Sequence, residues 1–451
     1  AKIYEFQDQM LTFLHFSDLH FSASDAGSQY DQDIEIRDKL LDDLKSRDLN
    51  GLTGVLVSGD IAFGGLKAEY DRATEWFETM RKQVNIPPEA VFFIPGNHDV
   101  DRQHLKPGKI LWESHQALRT ITDENTRDDS LKAKLKDEAV DFLLPLKEYR
   151  NFAAQHGRLS ATAADQLAWE SELTSRLEDG TPLVLHGLNS AIVSDKDDRR
   201  ANLLVGPFQF ARLAKRREAI NLVMCHHPPS WLLDCNNVED RFHSHAHIVL
   251  TGHEHQSRCF PSGPGLRICA GAVHPTRGEN EWNPGYNIVR VAIEAEPSRT
   301  LVTRVETRNW HKTEFVFVAA PQANQTNEYV HRQSLPLVAA AKPAGAANVI
   351  TTLQPKPQNP NVKEEALNQD AAFDASMRRL ILHFFQLGIL DRLKCAVEAE
   401  IWDDEDDSFE GQAKWARVFH RAQDTNHLVE LWNAVAKRNP NLAHMPNPFT
   451  H

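Results

Sequence analysis

Five short apolar runs in this 451-residue chain each end in a cluster of Asp, His, Asn or Gly, and that recurrence limits the fold more than any other feature. The fullest example is Val91–Val100, VFFIPGNHDV. A run rich in β-formers meets Pro-Gly and then releases Asn97, His98 and Asp99. This reads as a buried strand that delivers polar side chains to the mouth of a sheet. The first cluster follows Leu11–Phe16 and holds Asp18 and His20; the second follows Val55, Leu56 and Val57 and holds Gly59 and Asp60. Amphipathic spacing over Ile34–Leu49 and Glu69–Val84 predicts a helix between successive strands. A β-α-β-α-β order of this kind predicts an α/β fold with ligands at the carboxyl ends of strands.

Further along, Asn221–Cys225 ends in His226, His227 and two prolines, which stop the strand where two imidazoles emerge. Ile248–Thr251 ends in Gly252, His253, Glu254 and His255. In Asp18-x-His20 and His253-x-His255, period-two alternation would put both side chains on one side of an extended backbone, so one tripeptide could grip one ion. Residues 101–179 have helical periodicity, high charge and few strand signals, which predicts a solvated helical insertion. A sharper alternative is a cap that shapes substrate choice. Strand signals return at Leu183–Leu185, and Leu266–Ala270, Tyr286–Val291 and Thr300–Val318 read as the closing strands of a second sheet. His243, His245 and His247 read as a histidine-rich approach to a strand, His15 and His186 as core or supporting groups, and Cys225 as a small buried hydrophobe.

The length predicts two or three units, and 41% hydrophobic content allows a large core. No apolar run nears the roughly 18 residues of a membrane helix, and AKIYEFQDQMLTFLHFSD has none of the zones of a signal peptide. A cytoplasmic location without membrane partners is therefore expected. Five cysteines, odd in number and without CxxC, argue against a disulfide framework or a zinc finger. A net charge of −13 disfavours a broad nucleic-acid surface but leaves room for a local basic groove. From Ala319 to about Asp370, Pro, Ala, Asn and Gln rise and periodicity vanishes. The expected boundaries are thus a catalytic domain at 1–318 with its insertion at about 101–180, a linker at 319–370 and a small all-helical domain at 371–451.

In order, the clusters Asp18-x-His20, Gly59-Asp60, Gly96-Asn97-His98-Asp99, His226-His227 and Gly252-His253-x-His255 resemble the calcineurin-like metallophosphoesterases. That family's pattern is D-x-H, G-D, G-N-H-[DE], H, G-H-x-H, and the likeness spans residues 12–256. It implies a four-layer α-β-β-α sandwich. It also implies that Asp18, His20 and His255 hold one divalent metal, that Asn97, His226 and His253 hold another, and that Asp60 bridges them. Carboxylate, amide and imidazole donors without a thiol suit borderline ions: manganese first, with iron, zinc or nickel as alternatives. Two such ions about 3.5–4 Å apart would activate a water as hydroxide and clamp the phosphate during in-line attack. By family position, His98 would protonate the leaving oxygen or stabilise its charge, and Asp99 would orient His98 or a ligand. The first histidine of the pair fills the ligand position, so His226 is taken as the ligand, and His227 is left to face substrate or to pack.

HFSDLHFS, LVSGDIAFGG and CHHPP are similar to the bacterial branch that includes the class III cyclic-nucleotide phosphodiesterases. The resemblance implies a phosphodiesterase acting on a nucleotide-like substrate. One alternative is an SbcD-like metal-dependent nuclease effector in prokaryotic defence. Another is a non-catalytic scaffold, disfavoured because every ligand position carries an expected residue type. Phe373–Asp391, the acidic stretch Asp403–Asp407 and FEGQAKWARVFHRAQDTNHLVELWNAVAKRNPNL resemble bacterial effector-associated, death-like helical domains. Such a domain implies self-association or recruitment of a protein partner; a plain helical bundle is the alternative.

Overall fold

The computed structural model describes residues 10–23, 33–47, 49, 51–160, 166–216, 218–275, 282–295, 297–321, 326–336, 376–377, 379–381, 383–384, 387, 389–403, 411–439, 442 and 444–450. The expected alternation opens the fold, as β1 (Leu11–Phe16), α1 (Ile34–Ser46), β2 (Leu52–Val57), α2 (Lys67–Gln83) and β3 (Val91–Phe93). Helices α3 (Ile110–Thr120), α4 (Glu124–Asp137), α5 (Ala139–Phe142) and α6 (Lys147–Gln155) follow. Then come β4 (Trp169–Arg176), β5 (Pro182–Gly187), β6 (Ile220–Met224), α7 (Cys235–His245), β7 (Ile248–Thr251), β8 (Arg258–Ser262) and β9 (Gly265–Cys269). Strands β10 (Gly285–Glu294), β11 (Thr300–His311), β12 (Val316–Ala319) and β13 (Tyr329–Ser334) complete this part of the chain.

These strands form a seven-stranded sheet, ordered β12-β11-β10-β1-β2-β3 with β13 also on β11, and a six-stranded sheet, ordered β4-β5-β6-β7-β9-β8. Alternation along the central strands explains why the sheets stack. Leu222 and Met224 of β6 and Ile248 and Leu250 of β7 join the core they share with Phe13, Phe16, Val57 and Val289 of the first sheet. Val223 and Val249 point the other way and pack with Val238 and Phe242 of α7. Strands buried on both faces read as continuous apolar runs, and these do. On the far side of the first sheet, α1 contributes Ile36, Leu40 and Leu44, and α2 contributes Tyr70, Ala73, Phe77 and Met80. The layers are therefore helix, sheet, sheet, helix, as the motifs implied.

Four expectations are corrected. Strands β10, β11 and β12 close the first sheet and not the second, because β10 pairs antiparallel with β1, Phe13 lying opposite Val289. The 101–179 segment is not a solvated insertion. Leu118, Leu131, Phe142, Leu146, Tyr149 and Phe152 all enter the main core, and the Tyr149 hydroxyl donates to the Phe93 carbonyl at 3.2 Å. That segment also ends in a strand, β4, whose sequence WESELTSR buries only Trp169 and Leu173 and so carries no period-two signal. Finally, β13 lies within the expected linker and pairs with β11, Arg304 opposite Val330.

The chain separates into units of residues 1–342 and 343–451. In the second, α8 (Ile389–Glu398), α9 (Gly411–Asp424) and α10 (Leu428–Ala436) surround their own core of Leu380, Phe384, Trp415, Val418, Leu431 and Trp432. Phe373, Asp404–Asp407 and the Pro440–Asn441 pair, used in the second resemblance, lie outside the described residues. No helix among the described residues is long and apolar enough to cross a membrane.

Candidate metal centre

Every implied ligand sits just past a strand, where the ladder ends and the backbone is held by bonds between neighbouring loops. Asp18 N donates to Gly59 O at 3.0 Å, His20 N to Asp60 O at 3.0 Å, and Gly252 N to His226 O at 3.0 Å. The side chains do not converge by strand alternation, as the spacing suggested. Asp18, His20, Asp60, His253 and His255 all have left-handed backbone, with φ of 54°, 47°, 53°, 68° and 53°. That conformation costs non-glycine residues roughly 1–2 kcal/mol each, and such strain gathers where a site demands it. Gly96 shows how little room is left: a Cβ there would stand 2.2 Å from Asp60 Oδ1 and 2.7 Å from His226 Nε2. At Gly59, with φ +104°, a Cβ would meet His226 Nδ1 at 2.4 Å.

Two groups result, and Asp60 lies between them. His255 Nε2 is 3.1 Å from Asp18 Oδ1, and His20 Nε2 is 3.4 Å from Asp60 Oδ2. On the other side, His226 Nε2 is 3.3 Å from Asp60 Oδ2 and 3.2 Å from Asn97 Oδ1, and His253 Nδ1 is 2.9 Å from Asn97 Oδ1. Asp18, His20 and His255 can hold one ion together, as can Asp18, Asp60 and His226.

The donor chemistry fits bound cations. His226 Nδ1 lies 2.7 Å from the Ser58 carbonyl and His20 Nδ1 lies 3.0 Å from the His274 carbonyl, so each Nδ1 carries the hydrogen. Each neutral Nε2 then presents a lone pair to a carboxylate or amide oxygen. Acceptor faces acceptor, which is repulsive unless a proton or a metal lies between. Burial disfavours charge on His226, yet the Asp60 carboxylate pushes its pKa up to about 9. Burial favours the neutral acid at Asp18 and Asp60, but His255 and His226 respectively hold these carboxyls below their ordinary range. Burial pushes His253 down to about 3, leaving a neutral donor. Buried carboxylates held ionised only by a proton on His226 and His20 beside them make a site where a metal cation can take that proton's place.

Of the two implied catalytic residues, His98 lies at the centre. Its amide donates to Asp60 Oδ1 at 2.7 Å, its ring centroid is 4.7 Å from that of His20, and its Nδ1 is 2.8 Å from the Phe63 carbonyl. Asp99 does something other than expected. Its carboxylate accepts from Ile61 N at 3.2 Å, Ala62 N at 2.9 Å, Gly96 N at 2.9 Å and the Tyr70 hydroxyl at 2.8 Å. It therefore positions the two loops that carry Asp60 and Asn97, and reaches neither the His98 ring nor a ligand side chain among the described residues. Of the two readings left open for His227, facing substrate or packing, its full burial supports packing. Its Nε2 joins Asn97 Oδ1 at 3.2 Å and its Nδ1 pairs with Ser190 Oγ at 2.9 Å, which places it within the ligand cluster.

Sequence reasoning missed the Ser58, Phe63 and His274 carbonyls, because a backbone acceptor leaves no residue-type signal. It also missed Trp231, whose ring stands 4.0 Å from that of His253; only its place after the Pro-Pro turn points to it. His15, His186 and His243 behave as core or surface groups. His15 Nε2 pairs with Ser58 Oγ at 2.9 Å, His186 Nε2 with Asn221 Oδ1 at 3.0 Å, and His243 Nε2 with Ser262 Oγ at 3.2 Å. Cys225 is buried, and burial pushes its thiol up to about 12.

A two-sheet sandwich that gathers Asp, Asn and His side chains at its strand ends has the architecture of a calcineurin-like phosphoesterase domain. The family model for calcineurin-like phosphoesterases matches residues 11–257, and the chain belongs to that family. It is 23% identical over 299 residues to an uncharacterized metallophosphoesterase-like protein, YydB, of Bacillus subtilis, covering 58% of this chain and 53% of that one. The chain thus spans about half the length of its curated relative. Among solved structures it is similar to a purple acid phosphatase from yellow lupin seeds (12% identity, TM-score 0.38, 66% of this chain and 52% of that one). It is also similar to vacuolar protein sorting 29 of Cryptosporidium parvum (11% identity, TM-score 0.31, 73% and 100%).

Proposed function

We propose that the protein is a dinuclear metal-dependent phosphodiesterase, with manganese as the preferred ion and a nucleotide-like diester as substrate. The observation that carries this reading is the position of Asp60 Oδ2, 3.4 Å from His20 Nε2 and 3.3 Å from His226 Nε2. One carboxylate oxygen thereby serves two ligand groups. Divalent ions held there supply Lewis acidity at the phosphoryl oxygens and acidify water. The chain's own residues do the rest. Asp60 Oδ1, by accepting from the His98 amide, fixes His98 relative to the bridging carboxylate. With His98 Nδ1–H directed to the Phe63 carbonyl, Nε2 is the nitrogen that exchanges a proton with the leaving oxygen. Burial pushes the His98 pKa down, so Nε2 would first have to take up a proton from solvent and would then release it readily to the leaving oxygen.

Hydrolysis by manganese-loaded protein tests the reading, with bis-p-nitrophenyl phosphate, p-nitrophenyl phosphate, cyclic nucleotides, DNA and RNA as the panel. Diester cleavage with about two ions per chain, lost in Asp60→Asn and His98→Ala, is the expected result. Preference for the monoester would overturn the phosphodiesterase assignment, and cleavage of polymers alone would favour a nuclease. We also assign the C-terminal helical unit to assembly or recruitment, supported by its separate core. Deleting 371–451 should abolish self-association or partner capture and leave hydrolysis intact. All five cysteines are unpaired, which fits a reducing cytoplasm; fractionation of the native cell tests that placement.

A further inference from the structure

Beside the centre lies a second feature that the metal ligands do not explain. His255 lines a pocket of about 260 Å³ together with Gln256, Ser257, Arg258, Gly271, Asn283 and Asn309. The two sheets build it jointly. His255 to Arg258 follow β7 of the six-stranded sheet, and Asn309 lies on β11 of the seven-stranded one. Crevices of this kind, outside the carboxyl ends of strands, are where α/β folds bind ligands. The Asn309 side chain is set by a glycine on the neighbouring strand. Gly285 lies opposite Asn309 in the ladder, and a Cβ there would stand 2.8 Å from Asn309 Oδ1.

The lining selects a chemical class. It offers three carboxamides, each with donors and an acceptor, and the Ser257 hydroxyl, whose oxygen accepts from Gly271 N at 3.0 Å. The lining cation, Arg258, is already paired with Glu254. Uncharged groups that both donate and accept recognise hydroxyls and heterocycle edges, and they give a second phosphate no countercharge. The volume is also below the roughly 300–1,000 Å³ that encloses a whole drug-sized ligand, so the pocket suits one arm of a substrate.

We propose that this pocket is a specificity subsite that receives the non-leaving nucleoside arm of the diester, with Asn309 and Gln256 as its specificity-determining residues. The inference rests on the phosphodiesterase reading above. A phosphate held beside His255 directs one ester oxygen into the pocket while the other departs on the His98 side.

Two substrates with the same leaving group isolate the claim: the p-nitrophenyl ester of thymidine 5′-monophosphate, and bis-p-nitrophenyl phosphate, which lacks the nucleoside. Full-length, manganese-loaded wild type should show the lower KM for the nucleoside ester. Asn309→Leu and the exposed Gln256→Leu should each raise that KM roughly tenfold, the effect of one lost hydrogen bond. Values of kcat, and both parameters on bis-p-nitrophenyl phosphate, should stay within about twofold. Equal losses on both substrates, no change in either variant, or no preference in wild type would overturn the subsite while leaving the phosphodiesterase standing. If wild type cleaves neither ester, the parent reading fails and the subsite falls with it.

Discussion

Asp60 is the residue on which most of the site converges: its side chain meets two imidazoles and the His98 amide, and its backbone stands in left-handed conformation. The types of the ligand residues were legible in the sequence, because imidazole, carboxylate and amide donors are chemically distinctive. Their backbone conformations were not, since positive φ at Asp or His is imposed by neighbouring loops and has no letter of its own. Two predictions belong at this scale. Gly96→Ala should cut metal affinity at least 10–100-fold, the range for disturbing the groups that orient ligands, because its Cβ falls on Asp60 Oδ1; titration calorimetry with manganese checks this. Asp99→Asn should also weaken metal binding and should lower stability by about 1–3 kcal/mol. An amide turns an NH₂ toward donors that a carboxylate accepts, and urea unfolding of the metal-free protein would measure the cost.

Helices α3 to α6 show what an element owes to its context. Their periodicity was readable, but their depth was not: charges such as Arg119 look solvated until their partners are known. The Arg119 side chain is only 7% exposed and binds Asp195 Oδ2 at 2.8 Å, Asp198 Oδ1 at 2.9 Å and the Val193 carbonyl at 2.6 Å, tying α3 to the loop after β5. Arg119→Met should cost roughly 3–5 kcal/mol, because two buried carboxylates lose their countercharge; chemical denaturation gives the value. His115, also on α3, donates from Nε2 to the Phe142 carbonyl at 3.3 Å. Burial pushes its pKa down to about 4, with smaller effects from Arg119, Asp195 and Lys134. The folded chain therefore keeps it neutral while the unfolded chain protonates it near 6.5. Its contribution is complete above pH 6.5 and is lost as pH falls toward 4, on the order of 3 kcal/mol. His115→Gln should flatten the acid limb of a stability–pH profile across that window, and an unchanged limb would rule the residue out.

For the whole molecule, metal and fold are coupled, because the centre joins loops from both sheets and sets acceptors against acceptors. Chelation should lower the melting temperature, and manganese should raise it, with about 2.7 kcal/mol gained at one hundred times Kd. Asp60→Asn should suppress that shift in differential scanning calorimetry. The effect should weaken below neutral pH, where protons compete for the imidazoles.

The sequence by itself determined most of the side chains that gather at the centre, the strand–helix alternation that opens the fold, and the central strands of both sheets. Leu11–Phe16 and Ile248–Thr251 agree with their strands to the residue. Apolar runs and chemically singular residues are local signals, and a local signal survives in one dimension. Only the tertiary structure decided that β10 closes on β1, that β4 and β13 are strands, that Asp99 grips loops and that His227 is buried among the ligands. Each of these depends on a partner far along the chain. Pairing and burial are properties of the contact, and neither segment carries them alone.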